Sequence, residues 1–437
     1  MKLVKFQKTV KLFTDLKFAL LVLGIIAFIS SFGTVIEQDE TIEYYQQNYP
    51  VFKPIYGFIN WQVISFFGLD HVYTTWWFLS LLLILGICLV SCTFTRQVPL
   101  LENSKEFLFK KQKKSFLILP FVIQFKNFLY LKENILLKLQ SLNFYIFQYG
   151  NLIYGYKGLI GRVSPILVHI SLLIILSGSS WGAFNNFKAQ ELLPTGEVFH
   201  IQNPIKIGKL TNLPSMNVRI NDFWVEYENN KIHQFYSNLS ILNSNGTEIK
   251  TQTISVNNPL HYKTIDFYQS DWNLLGIRIQ NQKTSQIYEF PLFPLKQNTK
   301  SWITWIPTTS TQTTALIFDQ VQKTFTAYDE NGKFLKNYNV GEMFDSQYKM
   351  LEVIPASGLQ IKYDPSIVII YFGFGLLMLT ACLSYLPYTQ FWLYSDEFVS
   401  WIGSSTNRGK IQLEIDFENL IRSIEEKVSR NISLFDI

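Results

Sequence analysis

The sequence predicts a membrane α + β protein: four transmembrane helices, a large β-rich, sandwich-like domain on the outer side and a small α+β domain on the inner side. Three observations predict it. Four uncharged apolar runs reach the length of a bilayer crossing. Basic and acidic residues alternate between the segments that separate them. The longest polar segment consists of short strand-like runs with turn signals between them. Composition agrees. Of 437 residues, 48% are hydrophobic and only 16% charged, at a mean hydropathy of +0.12, whereas soluble domains are about a quarter charged. Yet 38 basic and 33 acidic residues are too many for a chain wholly in lipid. Disordered, collagen-like and ordinary soluble-enzyme classes are excluded.

The four runs fix the domain order. Residues 18–36 read FALLVLGIIAFISSFGTVI, and residues 72–95 carry WWF followed by LLLILGICLVSC. Residues 163–187 are interrupted only by His169, and residues 365–386 hold IVIIYFGFGLLMLTACLSYL. The run from Ser115 to Phe125 is too short to cross. Lys2, Lys5, Lys8, Lys11 and Lys17 face one acid before the first run. Residues 37–71 hold five acids and one lysine, and residues 96–162 hold eleven bases and three acids. Positive residues stay on the side of synthesis. Residues 1–17 and 96–162 are therefore expected inside and 37–71 outside. By parity, 188–364 lie outside and the tail, 387–437, inside. The segment 188–364 has sixteen bases and sixteen acids and casts no vote. The first run reads as a retained span, because GTVIEQDE follows it without a small-residue cleavage site, and no Arg- and Ser-rich transit leader is present.

In the inner loop, Leu131, Ile135, Leu139 and Leu142 share one helical face, and YIFQYGNLIYGY reads as two strands turning at Gly150-Asn151. The Lys110–Lys114 run suits lipid headgroups, and no nucleic-acid role is assigned to it. The outer segment carries strand-like runs such as NVRINDFWVEY, QTISVNNPLHY, LGIRIQ and KMLEVI, with hairpin turns at Asn245-Gly246 and Asn331-Gly332. Such spacing suggests a sandwich or barrel.

Catalytic fingerprints are absent: no P-loop, HExxH, GxSxG, dinucleotide motif or CxxCH occurs. Cys88, Cys92 and Cys382 form no CxxC pair and read as apolar packers. Five histidines remain. His169, in SPILVHISLLIILSG, lies about six residues, or roughly 9 Å of helix rise, inside its span. An ionisable residue in hydrocarbon is neutral and partnered. Its chemistry leaves three roles open: a hydrogen-bonding link between helices, a haem or metal ligand, or a proton carrier. His71, beside Tyr73, Trp76 and Trp77, fits an aromatic belt or a ligand at the outer membrane edge. His200, His233 and His261 stand among strand patterns, where surface positions are the default; His261 has the densest aromatic and polar surroundings.

Several segments in order carry a family likeness: GTVIEQ (33–38), WWFLSLLLILGICLVSCTFTRQ (76–97), YKGLIGRVSPILVHISLLIILSGSSWGAF (156–184), VNNPLHYKTIDFYQSDW (256–272), GLQIKYDPSIVIIYFGF (358–374) and STNRGK (405–410). Nearly the whole chain resembles the ResB family of system II cytochrome c biogenesis, in its plastid and cyanobacterial form. Ser366, where a small glycine is common in the family, is a minor departure.

The resemblance implies a subunit that moves haem b, as transient cargo, across the thylakoid membrane with a CcsA/ResC-type haem-handling partner. The pair supports covalent attachment of haem to apocytochromes c and f in the lumen, with a thiol-reducing thioredoxin-like protein. It implies His169 as an axial haem ligand, with His71 as a second candidate and Arg162 near a propionate. Arg162 also suits snorkelling to headgroups. In the segment 256–272 it implies docking of apocytochrome or partner at His261, Tyr268, Gln269 and Trp272. The partner's tryptophan-rich haem segment is not reproduced by WNLLGIRI or SWITW, so this chain is expected to be one non-autonomous subunit of the haem lyase. The alternative is a scaffold that docks apocytochrome and steadies the partner without touching haem. The expected location is a plastid thylakoid, with both termini stromal, or a cyanobacterial membrane.

Overall fold

The computed structural model describes residues 11–55, 57–105, 109–126, 131–228, 231–295, 301–307, 313–319, 324–344, 347–395 and 399–435. The lysines expected to orient the amino terminus, Lys2, Lys5 and Lys8, lie outside them. The chain divides into two compact units, one of residues 1–36, 71–180 and 366–437, the other of 37–70 and 181–365.

The first unit holds the apolar runs as helices. Leu16–Val35, Trp76–Glu102, Ile160–Asn185 and Ile367–Ser384 are long and apolar enough to cross a membrane, with mean hydropathies from 1.9 to 2.4. Their ends follow local chemistry. Asp15 caps the first helix, its carboxylate accepting from Lys17 N at 3.0 Å. The second starts at Trp76, later than expected, because Val72–Thr74 form a 3-10 turn and Thr75 is the cap, accepting from Phe78 N at 3.4 Å. It is not uniform: after Cys92 the segment Thr93–Gln97 is π-helical, and α-helix resumes at Val98.

Glycines let the third and fourth spans approach. A Cβ on Gly373 would stand 2.7 Å from Ile175, and one on Gly178 3.0 Å from Ile369. At the start of the third span a Cβ on Gly161 would stand 2.0 Å from the Leu386 carbonyl. Only 11 to 17% of each span's residues are buried within the protein, so most side chains there present apolar surface outward, as lipid requires.

The same unit contains a small α+β domain. Strand β1 is Phe121–Lys126, followed by the helix Leu131–Ser141 and the hairpin of β2, Tyr145–Tyr149, and β3, Leu152–Lys157. The hairpin turns at Gly150-Asn151, with Gly150 at φ +56°, a left-handed conformation glycine adopts without steric cost. Ile135 and Leu139 are buried, as the helical face requires.

The second unit is β-rich. Its strands are β4 Phe187–Pro194, β5 Val198–Phe199, β6 Pro204–Ile207, β7 Asn217–Glu228, β8 Lys231–Leu242, β9 Glu248–Ser255, β10 Leu260–Tyr262 and β11 Ile265–Asn281. They continue with β12 Ile287–Pro291, β13 Phe293–Pro294, β14 Trp302–Pro307, β15 Thr313–Phe318, β16 Thr324–Tyr328, β17 Phe334–Asn339, β18 Met343–Phe344 and β19 Tyr348–Tyr363. One sheet runs β10-β11-β19-β4-β6, with β12 on β11 and β18 on β19; the others run β5-β7-β8-β9 and β13-β14-β15-β16-β17.

Two cores lie between these sheets. Phe267, Leu359 and Ile361 of the first sheet meet Val218, Ile220, Leu239 and Ile254 of the β7 sheet. Trp272, Ile277, Ile279 and Met350, farther along the same two long strands, meet Trp302, Leu316, Phe318 and Phe325 of the third sheet. The result is sandwich-like packing in two successive parts. β11 serves both because it is bulged. Its buried positions are Ile265, Phe267 and Gln269, then Trp272 and Leu274, then Ile277 and Ile279. Register against β19 shifts between Gln269 and Asp271 and between Leu274 and Gly276. Each extra residue restores the apolar face that strict alternation would have turned away.

The tail then returns to the first unit. β20, Thr389–Ser395, and β21, Val399–Thr406, complete a sheet of order β1-β21-β20-β3-β2, and the helix Lys410–Phe435 packs Phe417, Leu420 and Ile421 against it. The tail's β20 pairs both with β21, next to it in the chain, and with β3, more than 230 positions away.

The loop 37–70 belongs to the β-rich unit and closes on itself. Tyr45 donates to the Glu37 carbonyl at 2.5 Å and Tyr49 to the Glu37 carboxylate at 2.7 Å. The Tyr49 hydroxyl holds the Glu37 carboxyl below the usual carboxylate range, and burial pushes Tyr45 up to about 12. A depressed carboxyl pKa stabilises the fold above its unfolded value of 4.5 and loses that contribution as pH falls through the lower folded value. Tyr49→Phe is therefore expected to lower the thermal unfolding midpoint of the detergent-solubilised chain at neutral pH. The gap to wild type is expected to narrow below pH 4.5.

Candidate functional site

His169 sits on the third span opposite the far end of the second. It meets a π-helical turn. Thr93 and Gln97, at the two ends of that turn, both face it, and such turns recur at functional sites. Thr93 Oγ1 stands 2.9 Å from His169 Nδ1, with the Leu89 carbonyl 3.3 Å from the same nitrogen. Thr93 itself donates to Leu89 O at 2.8 Å. Gln97 Nε2 stands 3.0 Å from His169 Nε2.

These partners assign the tautomer. An amide nitrogen only donates, so His169 Nε2 accepts and the ring proton is on Nδ1. Nδ1–H then donates to Thr93 Oγ1 and toward Leu89 O. The ring is neutral, and its one lone pair is engaged by a glutamine amide. That amide has a cost: Gln97 Oε1 is buried without a hydrogen-bond partner, a condition folded proteins avoid. An imidazole whose Nδ1–H is fixed on oxygen acceptors is arranged as a metal-ligating histidine is, with Nε2 as the donor atom. The donor set fits an iron porphyrin once Gln97 moves.

Arg162, in the first turn of the same helix, lies with its guanidinium 5.4 Å from the centre of the Tyr388 ring. The contact ties the span to the small α+β domain. His71 is exposed at the head of the 3-10 turn, its carbonyl accepting from Thr74 N and Oγ1, both at 3.1 Å. The 22 residues from His71 to Thr93 correspond to about 30 Å of helix, so His71 and His169 do not form one site.

The other candidates are in the β-rich unit. His200 is exposed and lines a cleft of about 800 Å³ with Met216, Tyr262 and Lys263, while His233 pairs at the surface with Glu228 at 3.3 Å. His261 and Tyr268 are brought together by Asp266, which accepts from His261 Nδ1 at 2.6 Å and Tyr268 OH at 3.4 Å. Gln269 and Trp272 do not join them. They are 5 and 3% exposed. Gln269 fastens the bulge, donating to Asp271 O at 2.9 Å and accepting from Ser237 and Ser357, and Trp272 packs on Trp302. The bulge turns both side chains into the core, so neither presents a docking surface. The three cysteines are unpaired, and among the described residues no group of three or more His, Cys, Asp or Glu is placed to hold a metal ion.

Sequence reasoning missed Thr93 and Gln97. Their signal was present: two hydrogen-bonding residues four apart where CTFTRQ ends an apolar run.

Four apolar spans, a half-buried histidine hydrogen-bonded between two of them and a β-rich second unit define a multi-pass membrane protein. The model of the ResB-like family matches residues 16–311 and 308–418, and the chain belongs to that family. Cytochrome c biogenesis protein Ccs1 of Thalassiosira pseudonana is 42% identical over 422 residues, covering 95% of this chain and all of the relative. Cytochrome c biogenesis protein CcsB of Crocosphaera subtropica is 40% identical over 432 residues, covering 96% and 95%. Ccs1 of Porphyra purpurea is 38% identical over 420 residues, covering 92% and 93%.

Thr93→Val removes the acceptor of the buried ring proton while keeping the shape. It is expected to destabilise the chain by about 1–2 kcal/mol, read as a lower thermal midpoint in detergent. Thr93→Ser is expected to keep the wild-type value.

Proposed function

We propose that this member of the ResB-like family serves cytochrome c biogenesis by carrying haem between the two sides of a thylakoid membrane. It would act with a CcsA/ResC-type partner and support attachment of haem to apocytochromes c and f, kept reduced by a thioredoxin-like protein. One observation carries the reading: the neutral His169 ring, proton fixed on Nδ1 and lone pair held by a glutamine that has an orphaned oxygen. Relatives named as cytochrome c biogenesis proteins, aligned over nearly the whole chain, support it.

Haem supplies an iron that takes one imidazole lone pair. This chain's residues do the rest. Gln97 swings aside and gives up one hydrogen bond, which its unsatisfied carbonyl makes inexpensive. Leu89 and Thr93 keep the ring oriented and raise its basicity through Nδ1–H. Arg162, now over the Tyr388 ring, would meet a propionate by a charge-assisted pair. A second iron ligand would come from the partner. The β-rich unit, on the lumenal side, receives the apocytochrome thiols. Its described residues contain no cysteine that would form mixed disulfides with them. Relatives from diatoms, red algae and a cyanobacterium support a plastid or cyanobacterial membrane.

The test is spectroscopic. Full-length chain copurified with its partner is expected to show a haem absorbance band that falls at least several-fold in His169→Ala and returns with added imidazole. Gln97→Leu, which frees Nε2, is expected to retain or increase the band. An unchanged spectrum in His169→Ala would sink haem ligation here and leave a scaffold role.

A further inference from the structure

Across the sheet of the β-rich unit, on the face opposite the apolar core, one row of residues runs in direct register over five strands. His261 on β10 faces Asp266 on β11, Asp266 faces Lys362 on β19, Lys362 faces Lys188 on β4, and Lys188 faces Lys206 on β6. Three lysines on adjacent strands thus stand within about 10 Å. Like charges directly opposite one another destabilise a sheet, so the row needs anions. Asp266 serves one end. The other two lysines take theirs from the loop 37–70: Lys206 Nζ is 2.8 Å from Asp39 Oδ2, and Lys188 Nζ is 3.4 Å from Glu40 Oε1. These are not freely solvated surface pairs. The lysine side chains are 20% and 18% exposed. Lys362 lies 5.2 Å from the centre of the Tyr268 ring, and burial together with the Lys188 charge pushes it below the usual lysine range.

The loop pays for its part. Asp39 takes a left-handed backbone conformation, φ +60°, while its N–H donates to Asp70 O at 2.8 Å. Two adjacent carboxylates therefore occupy two adjacent lysines, delivered by a segment outside the sheet. Along the chain Lys188 lies three residues after the third span and Lys362 five before the fourth.

We propose that Lys188, Lys206 and Lys362 form a binding site for the dicarboxylate edge of a porphyrin, and that Asp39 and Glu40 hold this site closed by imitating the two propionates. A ligand with two carboxylates on one edge and an apolar ring displaces both loop acids at once and lays its face toward Tyr268. A lipid phosphate offers a single anionic centre and matches the pair of acids less well. The inference rests on haem being the cargo, but not on His169 being its ligand.

The experiment uses full-length chain carrying His169→Ala in phosphatidylcholine nanodiscs, titrated with metal-free protoporphyrin IX by fluorescence. Asp39→Asn with Glu40→Gln is expected to tighten binding roughly tenfold, and Lys188→Gln with Lys206→Gln to weaken it by a similar factor. Lys206→Arg, which keeps the clamp, is expected to bind as the parent does. Protoporphyrin dimethyl ester is expected to bind all variants equally. The proposal is overturned if the acid-to-amide variant leaves affinity unchanged or weaker, or if the ester responds as the free acid does. It is equally overturned if adding phosphatidylglycerol abolishes the difference between variants, which would make the lysines a lipid headgroup site. Without iron or His169 in the assay, a negative result leaves the His169 reading standing, and an unchanged haem band in His169→Ala leaves this one standing.

Discussion

An imidazole inside a hydrocarbon span must obtain every hydrogen bond from the protein, and much of the first unit follows from that demand. No water or headgroup relieves it. Both ring nitrogens of His169 are supplied by the second span, where Thr93 and Gln97, four residues apart, lie on one face of the helix. The register of the second span thus supplies the half-buried histidine. It also leaves the arrangement one bond short, because Gln97 carries a carbonyl with no donor. The site is satisfied on the proton-bearing side of the ring and imperfect beside its lone pair.

The positions of the spans are set outside them. β3 leads into the third span, and the fourth span leads into β20; these two strands are hydrogen-bonded neighbours. Adjacent strands are about 4.8 Å apart, so the helix bearing His169 and its neighbour leave the small domain from a fixed separation. The glycines then become necessary. At that separation Gly161, Gly178 and Gly373 have no room for a side chain against Leu386, Ile369 and Ile175. The Tyr154 hydroxyl, 3.2 Å from that of Tyr388 and accepting from Gln390 at 2.8 Å, joins the same two strands by side chains.

The β-rich unit solves a different problem with β11 and β19. Each is long enough to serve two cores, but a strand alternates and also twists. Bulges at Gln269–Asp271 and Leu274–Gly276 keep the apolar set on one face. Gln269 and Trp272 are consequences of that device, and the opposite face of the same strands carries the charged row that the loop 37–70 covers. One face of the sheet is given to cohesion and the other to charge.

Much of this was legible in the sequence. The four spans, the helix bearing Ile135 and Leu139, the hairpin at Gly150-Asn151 and the β character of the second unit follow from length, periodicity and turn chemistry, which are local. His169 stood out because a lone ionisable residue in an apolar run is visible without coordinates. Its partners did not stand out, since Thr93 and Gln97 face it only through the approach of another span. The strands of the tail, the burial of Gln269 and Trp272 and the alignment of Lys188, Lys206 and Lys362 were likewise decided by tertiary structure. Each depends on the register between segments distant in the chain, and register is fixed by packing and hydrogen bonding across strands and spans. The sequence by itself determined which elements form and which residue is chemically exceptional; only the folded chain decided what that residue touches.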